Sequence, residues 1–106
     1  MWSVETLNSN VDDEIESLPR DMFARLGRFV KVIEEFGLNK LPHDAVKNLE
    51  GKLWELRIKG KDGISRAIYV TAYHKRVVIL RVFVKKTQKT PNSELEIARK
   101  RMKEVK

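Results

Sequence analysis

Arg57, Arg66, Arg81 and Lys85, with Glu55 among them, fall where strand alternation would gather them on one face of a sheet. Side chains two residues apart in a strand share a face. In Leu53–Lys59 the apolar set is Trp54, Leu56 and Ile58, so Glu55 and Arg57 point the other way. In Arg76–Lys85 the aliphatic set Val78, Leu80, Val82 and Val84 is expected beneath helices, which turns Arg81, Phe83 and Lys85 to the opposite side. Arg66 is the only charge inside Ile64–Ala72 and must leave the core on that same side. Like charges on neighbouring strands repel, and phosphates placed between them remove the repulsion. The bland alternative is that Glu55 pairs with Arg57 or Arg66 while the other cations reach into water.

Such a set suits metal-independent cleavage of a phosphodiester. A ribose 2′-hydroxyl can attack its own 3′-phosphate, giving a 2′,3′-cyclic phosphate and a free 5′-hydroxyl. That reaction needs a base, an acid and cations on the developing phosphorane. Arg57, Arg66 and Arg81 suit the charge, because arginine stays protonated and grips phosphate with two bonds. Lys85 or Lys86 is one choice of base if crowding among cations lowers its pKa, and Glu55 is the competing choice. Phe83, beside these cations, is the stacking candidate for a base. Trp2, Trp54 and Tyr69 read as core or core-edge residues, and His43 and His74 sit in expected loops without a role.

Composition agrees with a polyanionic partner. Residues 1–50 hold six Lys/Arg against ten Asp/Glu, a net −4, whereas residues 51–106 hold sixteen against five, a net +11. That asymmetry predicts a working face rather than general solubility. At 106 residues the chain holds one domain, spanning 1–106. Without cysteine there is no disulfide framework or thiolate metal site. Two isolated histidines offer no metal constellation, so no metal or cofactor is expected. No apolar run approaches a membrane span and the N-terminus has no signal-peptide pattern, so a cytoplasmic location is expected.

The elements that must position these residues follow from periodicity. Met1–Thr6 is a short strand, and Asn10 is placed to cap a helix through Val11, Ile15 and Leu18. Pro19 opens a second helix with the stripe Met22, Phe23, Leu26, Phe29, Val30, Ile33 and Phe36, closed by Gly37. The two are expected to form a helical hairpin. Residues 38–52 read as a loop with one helical turn. Leu53–Lys59, Ile64–Ala72 and Arg76–Lys85 are strands, the first two joined at Gly60-Lys61-Asp62-Gly63. Ser93-x-x-Glu96 forms a capping box for a last helix carrying Leu95, Ala98, Met102 and Val105. The fold class is α+β: a helical hairpin packed on an antiparallel sheet of about four strands, with a C-terminal helix.

The stretch Leu53-Trp54-Glu55-Leu56-Arg57, then Arg66 and Tyr69, then Phe83-x-Lys85-Lys86-Thr87-Gln88-Lys89-Thr90-Pro91, with Glu94, Glu96, Ala98 and Arg101, resembles the phage-derived RelE/HigB-like toxins of the RelE/ParE superfamily. The resemblance implies the small RelE/ParE-like domain and the toxin of a type II toxin–antitoxin system. It further implies an mRNA endoribonuclease, or mRNA interferase, that acts on the translating ribosome and inhibits translation. A cognate antitoxin, of a HigA-like helix-turn-helix kind, would be its partner. Arg57, Arg66, Lys85 and Lys86 fall on the family's recurrent basic positions, while Arg81 stands where many relatives carry a histidine. Lys86, Lys89, Phe83, Arg99 and Arg101 are then expected to contact mRNA and ribosomal RNA. Two other classes remain: a ParE-like, non-enzymatic gyrase inhibitor, and a nucleic-acid-binding module without catalysis.

Overall fold

The computed structural model describes residues 1–85 and 89–106. Chain order is β1 (Ser3–Thr6), α1 (Ser9–Glu16), α2 (Arg20–Phe36), two 3₁₀ turns (Leu38–Lys40 and His43–Ala45), β2 (Val46–Glu50), β3 (Leu53–Gly60), β4 (Gly63–Ala72), β5 (Arg76–Lys85) and α3 (Asn92–Met102). The sheet runs β1-β5-β4-β3-β2. It is mixed rather than purely antiparallel, because β1 pairs with β5 in parallel. It also has five strands rather than four. The extra one is β2, inside the segment that reads as a loop. Only Val46 and Leu49 of β2 are even half-buried, and its pairing slips between Asn48 and Glu50. An edge strand so polar carries almost no alternation to detect.

Each face of the sheet carries its own core. On one side Val11 and Leu18, with Met22, Leu26 and Ile33 of α2, pack on Leu56, Ile58, Ala67, Tyr69, Val77, Ile79 and Val82. On the other, Ala98 of α3, flanked by Leu95 and Met102, packs on Leu53, Ile68, Val70, Val78 and Leu80. The face opposite the N-terminal helices is therefore partly covered, not bare. Phe23 (49% exposed) and Phe36 (65%) lie outside the contact stripe of α2. No helix among the described residues is long and apolar enough to cross a membrane.

The pairing of β5 explains why one aliphatic set was too simple. Tyr69 faces Ile79 and Ile68 faces Arg81, so Leu80 is an extra residue in a β-bulge. Above the bulge Val77 and Ile79 face α1 and α2; below it Val82 does. Val78 and Leu80 face α3 instead, and Val84 is exposed. The second half of β5 also runs past the end of β1, which stops at the Thr6–Ile79 pair. Glu14 of α1 closes that edge, its Oε1 accepting the Val82 N–H at 3.0 Å.

Local signals shift by a residue or two at the helix starts. Asn8, not Asn10, caps α1, its side chain accepting from the Val11 N–H at 3.2 Å. The capping box at Ser93 does not form. Pro91, with φ −65° and ψ 148°, takes the N-cap position two residues earlier, so α3 starts at Asn92. Gly37 ends α2 at φ +89°, with the Trp2 ring packed where a Cβ would stand. Gly60 lets α2 meet the β3–β4 turn: a Cβ there would lie 2.7 Å from Met22 Cγ and 2.8 Å from Asp21 Oδ2.

Two glycine substitutions should therefore have opposite signs. Gly60→Ala drives a methyl into the fully buried Met22 and should destabilise by about 1–3 kcal/mol. Gly27→Ala, mid-helix with nothing within 4 Å, should stabilise by about 0.5–1 kcal/mol. Urea midpoints of the two variants check both; a neutral Gly60→Ala would contradict the tight docking of α2.

Candidate functional site

Three rows of side chains cross the sheet on the α3 side: Glu55, Ile68 and Arg81; Arg57, Arg66 and Phe83; Lys59, Ile64 and Lys85. The expected residues thus share one face, but they do not share one environment. Glu55 is 0% exposed and Arg66 1%. Arg66 Nη1 donates to Glu55 Oε2 at 3.1 Å, and Arg57 Nε donates to the same oxygen at 3.2 Å. The buried Thr90 hydroxyl donates to Glu55 Oε1 at 2.6 Å. Two guanidiniums directly opposite each other on paired strands would repel; the carboxylate beneath them cancels that repulsion and fixes both.

Both oxygens of Glu55 are consequently engaged away from solvent, which suits an anchor and not a proton acceptor for a substrate. Arg57 gives only Nε to this contact among the described residues, and 28% of its side chain remains exposed. Lys85 lies half-buried one row further on. Glu55 and Asp44 stand against Arg57, Lys59, Arg66 and Lys85, which leaves two positive charges over at this place on the sheet.

Arg81 is on the same face, but its charge is matched. Its Nε and Nη2 donate to Glu94 at 3.0–3.2 Å and its Nη1 donates to Glu14 at 2.8 Å. The Glu94 bond, with the Glu14 charge, raises the Arg81 pKa further above its ordinary range. Arg101 Nη1 donates to both oxygens of Glu14, at 2.9 and 3.1 Å, and to the Leu80 carbonyl at 2.8 Å. Arg99 forms a two-bond pair with Glu50 at 2.6 and 2.7 Å, and that pair holds the Glu50 carboxyl below its usual range. Arg81, Arg99 and Arg101 thus tie α1, α3, β2 and β5 together. Phe83 is half-buried, packed against the α3-side core. Lys89 is exposed, and Lys86 lies outside the described residues.

Sequence reasoning gave no site role to Thr90, Glu94 or Glu14, the first two entering only through the stretch that carries the resemblance. Thr90 is the one member with a visible signal, a hydroxyl fixed beside Pro91 at the end of the basic segment. Glu14 reads as an acid favouring the start of its helix, and nothing local betrays its link to β5. Tyr69 lies on the α1/α2 side, and burial pushes its phenol up to about 12. Among the described residues no group of three or more His, Asp or Glu side chains is placed to hold a metal ion.

The model of the family described as phage-derived protein Gp49-like (DUF891) matches residues 13–103. The chain belongs to this Gp49-like family. Gp49-like proteins are a family of RelE-like toxins, in agreement with the resemblance read from residues 53–101. No curated protein sequence matches the chain. Among solved structures, the fold is similar to a chain in the archaeal RelE–RelB complex from Pyrococcus horikoshii OT3. That match has a TM-score of 0.63 at 22% identity, covering 83% of this chain and 98% of the other.

Removing the anchor should be costly. Glu55→Ala takes the carboxylate from a buried guanidinium and should destabilise by about 3–5 kcal/mol. Thr90→Val, which leaves one carboxylate oxygen short of a donor, should destabilise by about 1–3 kcal/mol. Urea denaturation measures both; wild-type midpoints for the pair would mean the network contributes nothing.

Proposed function

We propose that this Gp49-like chain is the toxin of a type II toxin–antitoxin pair and that it cleaves translated mRNA as a metal-independent endoribonuclease. The observation that carries the reading is Arg57, held by the buried Glu55 that also pairs with Arg66, with the half-buried Lys85 one row further along the same face. A surface of that kind is made for a phosphodiester. The 2′-oxygen attacks phosphorus, the P–O5′ bond breaks, and a cyclic phosphate and a 5′-hydroxyl result. Arg57 holds the non-bridging oxygens as charge develops. Lys85 delivers a proton to the leaving 5′-oxygen, while the 2′-hydroxyl proton passes to solvent. Arg66 and Glu55 act through Arg57, holding its guanidinium at a fixed angle.

A solved structure of similar fold is a chain in a RelE–RelB complex. On the family resemblance read from residues 53–101, a cognate antitoxin of a HigA-like helix-turn-helix kind binds this chain and silences it, and the ribosome presents its mRNA. The basic residues Lys86 and Lys89 then extend the contact beyond the scissile phosphate.

Lys85→Ala and Arg57→Ala should each lower mRNA cleavage by about 100- to 1000-fold while leaving the urea midpoint near wild type. The assay adds protein to a cell-free translation reaction and maps new 5′ ends. Undiminished cleavage and growth arrest by a folded Lys85→Ala variant would refute the role given to Lys85. Supercoiling defects without new ends would point to gyrase.

A further inference from the structure

A second cluster of cations lies around the end of the sheet, beyond Arg57 and Lys85. A cleft of about 280 Å³ is lined by Asp21, Arg25, Arg28, Lys59, Gly60 and Lys61. The close approach permitted by Gly60 brings the first turns of α2 against the β3–β4 turn. Arg25 and Arg28, one helical turn apart and both exposed, thereby stand beside Lys59 and Lys61.

Asp21 is the only carboxylate lining the cleft, and its two oxygens serve the backbone. Oδ1 accepts the Met22 N–H and Oδ2 accepts the Lys61 N–H, each at 2.9 Å. Among the described residues Arg25 and Arg28 form no ion pair, while the charge of Lys61 helps hold the Asp21 carboxyl below its ordinary range. Lys59 meets Asp44 at 3.2 Å, with both side chains more than 60% exposed. Exposed pairs of that sort contribute little and exchange readily for another anion. Four cations thus face one structurally committed carboxylate.

The cluster is continuous with the candidate active site. Lys59 follows Arg57 on the same face of β3, about 7 Å further along the strand, and shares its row with Lys85. We propose that Arg25, Arg28, Lys59 and Lys61 form a second phosphate-binding path, which carries the backbone of a longer RNA from the Arg57–Lys85 site around the β3–β4 turn onto α2. This rests on the endoribonuclease reading for its choice of RNA. The partner is a sugar–phosphate backbone several nucleotides away from the cleaved bond. The path contributes affinity and leaves the chemistry to Arg57 and Lys85.

The test uses the full chain and non-cleavable 2′-O-methyl RNA probes of about 6 and about 30 nucleotides, with fluorescence anisotropy across a salt series. The variant is Arg25→Gln/Arg28→Gln/Lys61→Gln. It should bind the long probe roughly 100-fold more weakly at about 0.1 M salt, and its log Kd against log salt plot should flatten by about 2. The short probe's Kd and the thermal melting point should match wild type. An unchanged slope on the long probe overturns the proposal, and so does an equal loss on both probes. If the variant keeps wild-type RNA binding but no longer binds an acidic peptide, the cleft serves a protein and the RNA proposal fails. Because binding is read without cleavage, a failure of Lys85 as the proton donor leaves this result separately interpretable.

Discussion

The contact on which the rest of the site depends is the carboxylate of Glu55 beneath two guanidiniums. Burying Arg66 beside another arginine would be prohibitive without it, since an uncompensated ion in the interior costs several kcal/mol. With it, one charge of the pair is cancelled in the dry interior, and the other is held at the surface on Arg57. Thr90 completes the arrangement from the far end of the basic segment, which links the position of that segment's end to the same carboxylate. The cluster is therefore both part of the second core and the platform for the surface cations.

A different set of ion pairs does mechanical work. Glu14 accepts from Arg81, Arg101 and the Val82 amide, so one carboxylate joins α1, β5 and α3 where β1 has run out. Unsatisfied strand edges invite pairing with other chains. Here the edge is closed by a charged side chain whose own charge is balanced twice over. The arginines of α3 are directed inward or along the sheet by Glu14 and Glu50, and the surplus of positive charge appears at the opposite end of the strands instead.

Much of this was legible in the chain itself. The apolar runs of β4 and β5, the two-residue turn after Gly60 and the stripe of α2 announced their elements, and parity placed Glu55, Arg57, Arg66, Arg81, Phe83 and Lys85 together. Depth was not legible. Nothing local separates Arg66, which is buried, from Arg57, which is partly exposed; that distinction arises only when distant parts of the chain fold over the strands. The bulge at Leu80 was hidden because aliphatic residues fill both parities of β5. Strand β2 was hidden because an exposed edge needs no pattern, and Glu14 because its partners are more than sixty residues away.

Pro91 sets where α3 begins, and through that where the covered part of the sheet stops. The same three central strands are consequently dry along one half of their length and wet along the other. Tolerance to substitution should then follow the rung of the ladder and not the residue type. Isoleucine at 68 belongs to a rung sealed under a helix and is irreplaceable by a polar residue, whereas isoleucine at 64, between two lysines, sits on a rung open to water. The exposed rung is thus free to vary while its immediate strand neighbours stay fixed, a separation set by where α3 begins.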